Sequence, residues 1–259
     1  MIHLLSPAKT LDFDTPSTVN THSEAAFLEH SMALVKKART LSKKGLEKLM
    51  GISSSLAELN HDRFQQWSQD ITMENGKQAI LAFTGDVYRG LDATTLTEKE
   101  LEFAQDHLRI LSGLYGILKP LDLMLPYRLE MGTSLTVGKH KNLYQFWGSM
   151  LTEKLNEDLA KQQEPTIINL ASNEYFKAIK PKELKGRLIT PQFKDAKNGE
   201  YKAIMTFAKL ARGYMSRYII QNKILRSDDI LGFNSNGYRY NESLSTADEP
   251  VFTREENQR

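Results

Sequence analysis

Four groups of polar side chains stand where apolar runs end, and together they hold the means for group chemistry. Ser6, Lys9 and Thr10 follow the run MIHLL, and Asp86 follows AILAF inside the loop TGDVYRGLD. Tyr127, Arg128 and Glu130 close the stretch HLRILSGLYGILKPLDLMLPYRLEMG, and Asn169, Ser172 and Glu174 follow TIIN. Three of the groups lie just past strand-type segments, where open α/β sheets place their ligands. Amine, guanidinium, carboxylate, phenol and hydroxyl groups gathered in one pocket would suit an enzyme acting on a nucleotide, a nucleobase or damaged DNA. Each group also has a plainer role: turn hydroxyls at Ser6 and Thr10, a turn carboxylate at Asp86, an Arg128–Glu130 pair that fixes a loop, and a helix cap at Ser172 or Asn173. Ser6-Pro7-Ala8-Lys9 matches S-x-x-K, but neither S-D-N nor K-T-G follows, and TGDVYRG lacks the Lys-Ser/Thr of a P-loop. The six histidines are scattered and there is no cysteine, so no metal site and no cofactor is expected.

A second set of residues points to an anionic partner. Residues 177–226 hold thirteen Lys or Arg against three Asp or Glu, a local +10 that leaves −8 on the rest of a chain of net charge +2. Within it, a helix over about 206–220 is expected to turn Phe207, Leu210, Ala211, Tyr214 and Tyr218 inward. Lys209, Arg212, Gly213 and Ser216 then form a basic face whose small residues let a phosphate backbone come close. Lys194, Lys197, Lys202 and Arg217 complete the candidate DNA contacts of this segment, and KPKELKGR (180–187) reads as a basic loop.

A third candidate is LEKLMGISSSLAELN. Leu46, Leu49, Ile52, Leu56 and Leu59 are apolar at helical spacing, broken at Gly51. This resembles the helix-hairpin-helix motif, here at about 42–60, whose turn offers backbone N–H groups to a DNA phosphate and whose second helix adds its positive end. Gly51, Ile52 and Ser53 would make that contact. Met50 stands where the motif commonly has Pro, and Ser53 where it has a second Gly.

The elements that must position these residues follow from period and punctuation. MIHLL, the run from Leu108 and TIIN read as strands; 24–41 and 143–159 read as helices; Thr97 to Glu100 is a capping box. Gly113 and Gly116 mark a corner, and Asn198-Gly199 a hairpin between strands over 188–193 and 200–207. The length suits one domain spanning 1–259, with no linker, repeat or low-complexity stretch. No segment has the length of a membrane span and no signal peptide opens the chain, so a cytoplasmic protein is expected.

LLSPAKTLDF, QAILAFTGDVYRGL, LSGLYGILKPLDLMLPYRLEMG, NLYQFWG, INLASNEYFK and ARGYMSRYII resemble the bacterial YaaA family of peroxide-stress proteins, nearly end to end. The resemblance implies a mixed α/β (α+β) fold of the family's own type, with a helix-hairpin-helix element and a basic cleft. It implies a cytoplasmic protein of oxidative-stress defence that binds duplex or junction DNA and limits free iron. It carries over no catalytic residue. The basic segment and the hairpin pattern support the DNA part; no ligand pattern supports direct iron binding, so lowered iron is expected to be indirect.

Overall fold

The computed structural model describes residues 1–258. Its centre is a five-stranded sheet. β1 (Ile2–Leu5) lies in the middle, β2 (Leu108–Ser112) and β3 (Gly116–Leu118) extend it on one side, and β4 (Thr166–Asn169) and β5 (Arg187–Ile189) on the other. Only β3 runs antiparallel to its neighbour. Leu4 stands opposite Arg109 on one flank and Asn169 on the other. Every residue of β1, β2 and β4 is buried. That is the condition of a parallel sheet covered on both faces, and it explains apolar runs without alternation. The chain steps from β1 to one flank and later to the other, so a crevice opens at the carboxyl ends of β1 and β4.

The corner between β2 and β3 is fixed by a close approach. A Cβ at Gly113 would stand 2.1 Å from the carbonyl oxygen of Leu129, where the loop after Pro126 crosses back. Below it the buried Tyr115 hydroxyl accepts N–H bonds from Trp67 Nε1 (2.8 Å) and Leu125 N (2.9 Å).

A second sheet has the order β7 (Glu200–Lys202), β6 (Gln192–Lys197), β9 (Val251–Arg254), β8 (Arg239–Tyr240). Asn198 and Gly199, at φ 53° and 79°, make the β6–β7 turn; two central residues of positive φ match the twist of a hairpin. The expected strand over 200–207 is three residues long, because a helix begins at Met205.

Among the described residues seven α-helices of six residues or more surround the sheets: α1 (Leu28–Arg39), α2 (Lys43–Met50), α3 (Ser54–Gln66), α4 (Asp86–Leu91), α5 (Glu98–His107), α6 (Met150–Leu159) and α7 (Met205–Gln221). The capping box starts α5: Glu100 N donates to Thr97 Oγ1 at 3.3 Å and Thr97 N to Glu100 Oε2 at 2.7 Å. The single helix expected over 143–159 is two, Leu143–Trp147 and α6, parted where Gly148 takes φ 52°. Among the described residues no helix is long and apolar enough to cross a membrane.

α4 and α7 cross backbone to backbone. A Cβ at Gly213 would stand 1.9 Å from Val87 O, and one at Gly90 2.3 Å from Leu210 O. This overturns the expected division of α7. Gly213 and Ser216 lie on a buried face with Ala211, Met215, Ile219 and Ile220, and Ser216 Oγ bonds His3 Nε2 at 2.9 Å. The small residues admit another helix, not a phosphate backbone; Phe207, Leu210, Tyr214 and Tyr218 are only half-buried.

Candidate functional site

A cleft of about 670 Å³ opens beyond the carboxyl ends of β1 and β4. Ser6, Lys9 and Thr10 enter it from the segment after β1, and Ser172 and Glu174 from the segment after β4. Asp86 comes from the first turn of α4, and Lys209 and Arg212 from α7. Six of the strand-end polar residues and two of the basic-helix residues thus share one cavity, although the sequence suggests two separate sites.

The floor is a hydrogen-bonded seam between strand ends. Ser6 Oγ accepts from Ser172 N (2.8 Å) and donates to Ser172 Oγ (3.2 Å). Tyr88 donates its hydroxyl proton to Ser6 O at 3.0 Å. Thr10 Oγ1 donates to Thr84 O at 3.1 Å, beside the short antiparallel pairing of Thr10–Leu11 with Phe83–Thr84. Tyr88 and Tyr175 line the cleft with their rings, and burial pushes both phenols up. Sequence reasoning does not single out either as a site residue, although each adjoins one: Tyr88 shares the TGDVYRG loop with Asp86, and Tyr175 follows Glu174.

The charges fall into two classes. Glu130 bridges two cations, with Lys9 Nζ 2.8 Å from its Oε2 and Arg128 Nη2 3.2 Å from its Oε1. Asp86 Oδ1 accepts from Arg89 Nη2 at 2.9 Å. These are compensated. Glu174 is held only by a neutral donor, Gly132 N at 3.0 Å from Oε1, and no cation pairs with it among the described residues. The side chains of Lys209 and the half-buried Arg212 likewise have no protein partner among the described residues. Burial lowers the pKa of Arg212 from its ordinary value; a desolvated cation without a counter-charge carries a free-energy cost that an anion would relieve.

Four expected pocket residues, Tyr127, Arg128, Glu130 and Asn169, do not line the cleft. Tyr127 is buried with its hydroxyl 2.6 Å from Ser112 Oγ, and Asn169 is buried with Oδ1 accepting from Ala171 N at 3.0 Å. Arg128 acts through Glu130, and its Nε is buried without a partner. Of the expected DNA contacts, Lys197 and Lys202 are exposed, Lys194 is half-buried on β6, and Lys202 pairs with Glu200 at 2.7 Å. Arg217 faces inward to the end of α4, its Nη1 donating to Leu91 O (2.9 Å) and Asp92 O (2.8 Å).

The turn at Gly51 has the local form the sequence suggests, two helices joined through an αL glycine at φ 60°, with Ser53 Oγ accepting from Leu56 N to cap α3. Two of its N–H groups, however, are engaged. Gly51 N and Ile52 N both return to Glu47 O, and Ser54 Oγ donates to the Glu47 carboxylate at 2.9 Å. The apolar spacing also does not carry through the turn: Leu56 and Leu59 are 37% and 45% exposed, while Ala57, Asn60 and Phe64 form the buried side of α3. Among the described residues no three His, Asp or Glu side chains gather as metal ligands would.

The family described as peroxide stress protein YaaA matches residues 1–244. A UPF0246 protein of Aliivibrio fischeri strain MJ11 is 55% identical over 256 residues, 99% of each chain. A UPF0246 protein of Shewanella loihica strain PV-4 is 54% identical over 256 residues, again 99% of each chain.

Proposed function

We infer, for a chain that belongs to the YaaA family of peroxide stress proteins, that it binds duplex or junction DNA through phosphate contacts at the mouth of the α7 cleft. The observation that carries this is the pair Lys209 and Arg212. They stand three residues apart on one helix face, line the same cleft, and pair with no carboxylate among the described residues. A guanidinium in that state favours an anion, and its fork matches phosphate bidentately. α7 packs on β6, so Lys194 and Lys197 extend the positive field on the adjoining hairpin. Contacts to phosphate carry no sequence information, so binding is general and salt-dependent. DNA so covered is shielded from oxidative damage, and lower free iron follows indirectly.

Mobility-shift titrations of two unrelated duplexes at two salt concentrations test the reading. Both should bind alike and weaken with salt. Lys209→Ala with Arg212→Ala should weaken binding and flatten the salt slope by about one to two phosphate equivalents. A folded double variant with an unchanged slope would place the contact elsewhere and overturn the assignment.

A further inference from the structure

Arg212 and Glu174 line one cavity, carry opposite charges, and do not pair with each other or with any other ionised side chain among the described residues. Opposite charges that share a cleft without pairing call for a ligand that is an anion at one end and a hydrogen-bond donor at the other. The rings of Tyr88 and Tyr175 and the side chains of Val87 and Leu170 line the same cavity. The volume, about 670 Å³, falls in the range of small-molecule sites. A nucleotide has this arrangement: a phosphate, a flat base with π faces, and a base edge bearing N–H groups.

We propose that the cleft takes a single nucleoside monophosphate unit, with the phosphate on Arg212 and Lys209 and the Watson–Crick edge of the base on the carboxylate of Glu174. The inference rests on the reading of α7 as a phosphate-binding face and adds what occupies the cleft behind that face. The unit comes either from a free mononucleotide or from a nucleotide extruded from a DNA strand, which an unpaired or damaged base yields most readily. Gly132 serves the site by leaving room for the carboxylate: a Cβ there would stand 3.1 Å from Glu174 Oε1. An ionised Glu174 accepts only, so the guanine edge, with its ring N–H and amino donors, fits best. Thymine, with one donor and flanking carbonyl acceptors, fits worst.

Calorimetric titration of the full chain with dGMP, TMP and inorganic phosphate is the test, beside mobility shifts on a paired duplex and one with a bulged nucleotide. The wild type should bind dGMP at least about tenfold more tightly than TMP or phosphate. Glu174→Gln keeps an acceptor for Gly132 N and removes the charge; it should erase the dGMP preference and leave phosphate binding unchanged. Arg212→Gln, shown folded by circular dichroism, should weaken all three. A preference for the bulged duplex that dGMP competes away identifies the extruded source; dGMP binding without that preference identifies the free one. If dGMP binds no better than phosphate and the bulge is not preferred, the inference fails, while duplex binding lost in the Lys209/Arg212 variant would still stand. If dGMP binds and the duplex does not, the DNA reading fails and the nucleotide site remains.

Discussion

His3 is a polar side chain at the centre of the sheet, fully buried, with Nε2 on Ser216 Oγ and Nδ1 unpartnered. Burial first, then the charges of His107 and Arg109, hold its imidazole at about 3 against an ordinary 6.5. The unfolded chain therefore takes up a proton that the folded chain refuses. The stability contributed by a neutral His3 is complete above the unfolded value and is lost as pH falls from there toward the folded one. Near pH 5 this amounts to roughly 2 kcal/mol. Asp122 acts in the other direction. Burial holds it at about 6 against 3.8, so the folded state keeps its proton longer and loses stability as pH rises through that window. The two slopes oppose each other in the wild type and separate in variants. The Tm difference of His3→Asn minus wild type should grow as pH falls from about 7 to 5, and that of Asp122→Asn should grow as pH rises through about 6. Parallel curves would assign neither group a titrating role. At this scale the sequence is legible where a polar residue follows an apolar run, as with Ser6, Lys9 and Glu174. It is not legible where a polar residue is consumed inside, as with Asn169 and Tyr127, because residue type does not say which hydrogen-bond partner lies across the fold.

Two glycines separate elements legible in the sequence from those that are not. Gly51 ends α2 in the left-handed region, and a Cβ added there would meet nothing within 4 Å. Its role is local, and the apolar spacing broken at that residue reveals it. Gly51→Ala should cost about 1 kcal/mol from backbone conformation alone. DNA affinity should be unchanged, since Gly51 N and Ile52 N serve Glu47 O; a selective loss of DNA binding would restore the hairpin as a contact. Gly213 is the reverse case. It sits mid-helix at an ordinary φ, and the backbone of α4, with Val87 O nearest and Gly90 and Leu91 beside it, makes it necessary. Gly213→Ala should destabilise by about 3 kcal/mol or more, read from the denaturant midpoint, because backbone and not a side chain must yield. A partner more than a hundred residues away in sequence leaves no trace in helical periodicity, which is why Gly213 and Ser216 look like a solvent face.

For the molecule as a whole, the uneven charge of the chain becomes spatial. α7 belongs to the basic segment, whereas Asp86 and Glu174 belong to the remainder that sums to −8. The cleft is where the two meet, and Lys9 is joined to Lys209 there across two hundred residues of sequence; the strand-end rule located its floor, but only the fold supplied its basic wall. Lys194 and Lys197 lie outside the cleft on the β6–β7 hairpin, so they should act on encounter. Replacing both with Glu should lower the association rate for duplex DNA several-fold at low salt, by roughly threefold or more, with little change in dissociation. Stopped-flow traces in which dissociation changes instead would move these lysines into the bound interface.

The glycine crossing of α4 and α7 has a consequence for how the site discriminates. One helix carries Asp86, the other Lys209 and Arg212, and their backbones touch. Adjoining walls joined by direct main-chain contact cannot slide past each other without breaking that contact, because a packed interface yields in steps and not continuously. The side of the cleft formed by these two helices is therefore held in one arrangement. A ligand that fits meets a site already in its bound shape and loses little conformational freedom in ordering it; one that is too broad finds no hinge to open. Exchange should then proceed at the pace of diffusion and desolvation, with no slow gating step preceding capture.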